Sequence, residues 1–302
     1  MKNIIFIDWD DTLFPTTWVN KNKINCLDKN DVNKYKLIFL ELDKSISNLL
    51  ETITKNNDNF VYIVSNANKK WIEMALTPLP ITSSIINKTS LNTTNNNTTN
   101  NNTTNNNTTN NNTTNNNDIV IISAKDKYNE KYSSPIDWKI LTFKDIINDV
   151  YKINTNGASD ASGPSGDYAY IKSTSNEFKE SKGIGSKFCG SIVSIGDAQY
   201  EYTALVKLYD YFKNIGYTIH QRSLRDQMSL WDQSSIHTVL DDNISEYKKA
   251  LVHRGKGEYL LKSIKFIDKP EFDVLINQLH ELNQHIINII NIREVVDVTF
   301  AD

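Results

Sequence analysis

Cysteine is almost missing from this chain: only Cys26 and Cys189 occur, far apart and with no partner at metal-ligand spacing. That argues against a disulfide scaffold and against a thiolate zinc site, leaving each thiol as a small buried or half-buried side chain. No apolar run approaches the roughly 18 residues of a membrane span, and the N-terminus lacks a basic-then-apolar secretory signal. An excess of one charge is missing too. The formal net charge is -3 over 302 residues, with a sequence pI near 6.0, so no basic field points to nucleic acid or to an anionic membrane. The five histidines form no HxxxH-type cluster. Gly157, Gly163, Gly166, Gly183 and Gly185 follow no strand and match no GxxxxGK(S/T) pattern, so they make no phosphate-binding loop. These absences predict an intracellular, soluble chain, cytoplasmic with nothing against a nuclear location, that binds neither nucleic acid nor membrane.

What is present begins with Ile4-Ile5-Phe6-Ile7, four apolar residues of which three are β-branched. The run is too short for a helix and reads as a parallel strand covered on both faces. It leads directly into Asp8-Trp9-Asp10-Asp11-Thr12-Leu13-Phe14-Pro15. Asp8 and Asp10, two apart, point the same way if the strand geometry persists, toward the carboxyl edge where open α/β sheets bind ligands. Carboxylates crowded there repel one another and lose hydration, so they need a cation or a shared proton. Mg²⁺ suits such oxygen donors and works beside substrate phosphates.

Three more strands with polar ends follow. Phe60–Val64 ends in Ser65-Asn66-Ala67, Ile119–Ile122 in Ser123, and Ser191–Ile195 in Gly196-Asp197, with Glu201 four residues further on and able to face the same cation. Leu260–Ile267 reads as a last strand. The helical period appears over 31–54, taken as one amphipathic helix, and over 70–76, with Trp71, Met74 and Ala75 on the apolar side and a stop before Pro78-Leu79-Pro80. It returns after Pro135, with Asp137 as N-cap and Lys139 in the first turn, where a lysine gains nothing from the helix dipole. Residues 200–213 and 272–292 complete the helices, and Ser123–Asp126 reads as a loop. Three insertions interrupt this order. Residues 89–117 are an Asn/Thr repeat with nothing apolar to bury, hence disordered. Residues 153–187 read as a flexible loop, and the polar stretch 217–257 as a segment able to fold over the site as a lid. Alternation of strand and helix predicts a single α/β domain over 1–302, a doubly wound parallel sheet in which one helix fills the gap between the first two strands and leaves no separate lobe there.

The stretches Asp8-Trp9-Asp10-Asp11-Thr12, Val64-Ser65-Asn66-Ala67 with Trp71, Trp138-Lys139 and Gly196-Asp197-Ala198-Gln199-Tyr200-Glu201 resemble the four motifs of the haloacid dehalogenase (HAD) superfamily, and Ile122-Ser123-Ala124-Lys125-Asp126 joins them in a narrower likeness. More narrowly they look like a largely uncharacterised eukaryotic group with a Gly-Asp-x-x-(Tyr/Phe)-Glu signature. The resemblance implies a Rossmannoid three-layer α/β/α fold and a phosphatase in which Asp8 attacks phosphorus and Asp10 is the general acid and base. It further implies phosphoryl binding by Ser65, followed by Asn66, and by Lys139, with Lys144 and Lys125 as competitors for the lysine. Mg²⁺ would be held by Asp8, the Asp10 carbonyl, Asp197 and Glu201. HAD phosphatases without a large cap often act on macromolecules, so the implied partner is a phosphoprotein or another bulky phosphate. The alternatives are a phosphotransferase and a HAD-fold scaffold with vestigial chemistry.

Overall fold

Asn3 to Ile7 are all buried because they form β1 (Asn3–Ile7), an interior strand of a parallel sheet. The computed structural model describes residues 2–94, 119–151, 188–214, 218–220 and 258–300. The other strands are β2 (Asn59–Ser65), β3 (Ile119–Ser123), β4 (Phe188–Gly196), β5 (Thr218–His220), β6 (Glu258–Lys265) and β7 (Val296–Thr299). They run in the order β3-β2-β1-β4-β6-β5, with β7 also on β6, and every pairing is parallel. β5 pairs with the first half of β6 and β7 with the second.

A parallel sheet has to be covered on both faces, and alternate residues of β1 do this. Ile5 and Ile7 enter one core with α3 (Lys36–Thr54) and α9 (Phe272–Asn291). Ile4 and Phe6 enter a second core with α7 (Pro135–Tyr151) and α8 (Gln199–Asn214), where Phe6 stacks on Phe143 at 3.8 Å between ring centroids. The result is a Rossmann-like three-layer α/β fold. β2 and β3 lie on one side of β1 and β4 and β6 on the other, so the winding reverses between β1 and β4. A crevice at such a reversal is where open α/β sheets bind ligands.

Several local expectations are corrected. The helix expected over 31–54 is two, α2 (Lys29–Lys34) and α3, separated at Tyr35 with φ -104 and ψ 19. Asp28 caps α2 by accepting from the Asn30 N–H at 2.8 Å. α4 (Lys69–Leu76) stops before Pro78 as expected, and Pro80 opens a further helix that was not expected, α5 (Pro80–Thr94). Proline lacks only an N–H that the first turn leaves unbonded anyway. The next two N–H groups, of Ile81 and Thr82, donate to the buried Asp43 carboxylate of α3 at 2.9 and 2.8 Å. α5 therefore continues through residues 89–94 of the stretch expected to be disordered, and 95–117 lie outside the described residues. Ser123 accepts from the Asp126 N–H at 3.0 Å and caps a short helix, α6 (Ala124–Tyr128), where a loop was expected. Asp137 lies inside the first turn of α7 rather than at its cap, because the helix already starts at Pro135. Thr218–His220, placed in the lid segment, belong to the sheet; 221–257 and 153–187 lie outside the described residues. Cys26 is a buried free thiol. Among the described residues no helix is long and apolar enough to cross a membrane.

Candidate functional site

The Asp8 N–H donates to the Ile195 carbonyl at 2.9 Å, extending the β1–β4 register one residue past the strand. The chain then turns tightly: Leu13 and Phe14 N–H both donate to the Trp9 carbonyl, at 3.0 and 2.8 Å, and Asp11 adopts a left-handed φ of 55°. Trp9, Leu13 and Phe14 are fully buried beneath this turn. Asp11 does not join the acids around Asp8. Its Oδ1 accepts from the Thr17 N–H at 2.7 Å, fastening the first turn of α1 (Thr16–Lys21) above the site, and burial raises its pKa against the Thr17 bonds.

Asp8 meets Asp197, which follows β4, and Glu201, which lies in the first turn of α8. One carboxylate oxygen from each lies within 4.8 Å of the others, and all three side chains are buried. Into this group α7 sends Lys139, 1% exposed, whose Nζ donates to Asp8 Oδ1 at 2.7 Å and to Glu201 Oε1. Burial alone would strip the ammonium of its proton, yet Asp8 and Glu201 outweigh it and hold the lysine charged well above its usual range. On the acid side burial wins. The Asp8 pKa rises well above that of an ordinary carboxylate, with Glu201, Asp10 and Asp197 adding to the rise against Lys139. Asp197 is pushed up to about 7 by burial, then by Glu201 and Asp11.

Three features bear on whether a metal ion fits here. Three carboxylates against one ammonium leave two negative charges when all are ionised, the charge a divalent ion would offset. Glu201 Oε2 is buried with no hydrogen-bond partner among the described residues, a costly state for an acceptor. Finally, the missing Cβ of Gly196 is what lets Glu201 lie in the cluster: a Cβ there would be 2.3 Å from Glu201 Cγ and 2.8 Å from Oε2. All-oxygen donors of this kind suit Mg²⁺. The loops are tied at this point, because Thr12 Oγ1 accepts from the Asp197 N–H at 3.0 Å and Lys265 of β6 donates to the Asp197 carbonyl at 3.0 Å.

Asp10 faces other partners. Its Oδ1 accepts from Thr16 Oγ1 at 2.6 Å and from Trp71 Nε1 at 2.8 Å, and its Oδ2 accepts from Ser65 Oγ at 2.9 Å. Asp8 and Asp10 thus have different partners, Lys139 for one and Ser65 for the other, while the Asp10 charge still helps to raise the Asp8 pKa. Ser65, at the end of β2, spends its hydroxyl proton on Asp10 and accepts from the Ala67 N–H at 2.9 Å. Asn66 follows it with Oδ1 buried and without a partner among the described residues. The loop is braced by Ser123 Oγ donating to the Ala67 carbonyl at 2.7 Å and by Asp126 accepting from the Lys69 N–H at 2.7 Å.

Of the competing lysines, Lys144 has its ammonium 5.8 Å from the centre of the Tyr211 ring, and Lys125 lies in α6. Trp71, expected on the apolar side of α4, keeps its ring edge-on against Phe14 but turns its N–H to Asp10. Sequence reasoning assigned no role to Thr12, Thr16 or Trp71. The only signal was their place inside or just beyond the quoted motifs. Compared with family models, with curated proteins and with solved structures, the chain finds no match.

Proposed function

We propose that this protein is a Mg²⁺-dependent phosphatase of the HAD type, hydrolysing phosphate monoesters through an aspartyl phosphate on Asp8. The observation that carries the reading is Lys139, a buried ammonium held between Asp8 and Glu201 in an acid cluster at the sheet's winding reversal, with a second, separately held carboxylate two residues after Asp8.

In this reading Asp8 attacks phosphorus, and the bond to the leaving oxygen breaks as that oxygen takes a proton from Asp10. Dividing the displacement through a covalent intermediate replaces one hard step with two easier ones. Asp10, now a carboxylate, takes a proton from water as the water attacks the aspartyl phosphate, returning Asp8 and releasing phosphate. Lys139 orients Asp8 and, with the Asn66 amide and with Ser65 once its hydroxyl turns from Asp10, offers donors to the phosphoryl oxygens. Asp8, the Asp10 carbonyl, Asp197 and Glu201 would hold Mg²⁺, whose charge offsets that developing on the phosphoryl group. Between β1 and β2 the chain forms only α1 to α3, with no separate lobe. That supports an open site and a bulky substrate such as a phosphoprotein.

The test is hydrolysis of an aryl phosphate and of a phosphopeptide, with and without Mg²⁺, by the wild type and by Asp8→Asn. Activity that requires Mg²⁺ and falls to the buffer rate in the variant is expected. A folded, Mg²⁺-binding wild type that leaves both substrates intact would overturn the reading in favour of a scaffold role.

A further inference from the structure

Asp10 has four in-plane acceptor positions, two on each oxygen, and three are taken. Oδ1 has both filled, by Thr16 Oγ1 at 2.6 Å and Trp71 Nε1 at 2.8 Å, while Oδ2 has one filled, by Ser65 Oγ at 2.9 Å. The donors come from three separate elements: α1, α4 and the end of β2. Trp71 is itself fixed, since its backbone N–H donates to Asn68 Oδ1 at 2.8 Å, its ring packs edge-on against Phe14 at 6.1 Å, and Phe14 is fully buried. An indole N–H is a donor only and cannot reverse its role. Thr16 and Ser65 hydroxyls can rotate their protons elsewhere; Trp71 cannot.

We infer that Trp71 is a positioning residue, which with Thr16 locks Oδ1 of Asp10 and leaves Oδ2, beside Ser65, as the one oxygen able to exchange a proton with the reacting groups. The inference rests on the phosphatase reading and adds to it a named atom and a residue that never touches substrate. In the first step the proton on Oδ2 passes to the leaving oxygen, which receives the electron pair of the breaking P–O bond. In the second, Oδ2 takes a proton from the attacking water. Losing the indole donor frees Asp10 to rotate, so that proton delivery becomes inaccurate while Asp8, Lys139 and the acid cluster are untouched. Small misplacements of a proton donor cost rate steeply.

The test compares kcat/KM for an alkyl phosphate, whose leaving oxygen needs a proton, with that for 2,4-dinitrophenyl phosphate, whose leaving group departs without one. Trp71→Phe keeps the ring and removes the donor; Thr16→Val removes the other Oδ1 donor and serves should the first variant fail to fold. The expected result is a loss of about 10- to 100-fold on the alkyl ester with a loss of less than about 3-fold on the dinitrophenyl ester. An equal loss on both esters overturns the positioning role while leaving the phosphatase reading intact. A wild type inactive on both esters removes that reading, and the positioning role falls with it.

Discussion

Gly196 is required by its neighbour's bulk. With Glu201 Cγ 2.3 Å from where a Cβ would stand, Gly196→Ala has to push the carboxylate away from Lys139. Overpacking of this kind costs about 1–3 kcal/mol, so urea unfolding of the variant should show that loss together with weaker Mg²⁺ binding by titration; unchanged values for both would contradict the cradle described here. Lys139→Met makes the complementary test. It leaves Asp8 and Glu201 without a countercharge, and breaking a buried pair costs about 3–5 kcal/mol. Denaturation without metal should show a loss of that order at pH 8 and a smaller one at pH 5, where Asp8, its pKa already raised by burial, can take up a proton instead. How legible these residues were differs for a physical reason. Asp8, Ser65, Asp197 and Glu201 could be singled out because polar groups directly after an apolar strand have few structural uses. Thr16 carried no signal, and Trp71, although it stands with the second motif, gave no sign of its bond to Asp10, since a tryptophan in a helical period counts as apolar until the tertiary fold shows where its single N–H points.

Helix ends are where the elements of this protein were hardest to read. α5 is capped from a different helix: Asp43, 1% exposed, accepts from both Ile81 and Thr82 N–H. No local pattern around Pro80 announces it. Asp43→Ala should destabilise the protein by about 1–2 kcal/mol in chemical denaturation, as loss of a cap does; a change within a few tenths would show that the cap is dispensable. At its other end α9 shows the same device with the roles reversed. Lys262, a buried lysine in β6 whose pKa burial lowers to about 7, donates to the carbonyls of Ile289, Ile290 and Ile292, placing an amine donor at a helix C-terminus. β1, β2 and β3 were legible as unbroken apolar runs. β5 and β7 were not, since three- and four-residue strands owe their existence to the outer edge of β6 rather than to their own sequence.

For the whole molecule, pH and metal should be coupled. An unfolded aspartate loses its proton near pH 4, whereas folded Asp197 keeps it to about 7, and Asp8 is shifted in the same direction. Between those values the native state binds more protons than the unfolded one, so the metal-free protein loses stability as pH rises from about 4 to about 7, and this contribution is flat above. Mg²⁺ bound as proposed would need the ionised carboxylates and would stabilise only the folded cluster. Thermal unfolding should therefore show a Tm rise with Mg²⁺ at pH 8 that disappears near pH 5; an equal rise at both would place the ion elsewhere. The same cluster depends on β1 lying beside β4, with Ile4 paired to Ile192. At ribosomal speeds of about 5–20 residues per second, β1 leaves synthesis roughly 10–40 seconds before its partner exists. For that interval one side of a strand with four apolar residues in a row has no neighbour, and an open edge recruits other chains. The arrangement that gives the finished protein its acid cluster thus makes the nascent one a client for chaperones, and slowing translation should lower its soluble yield.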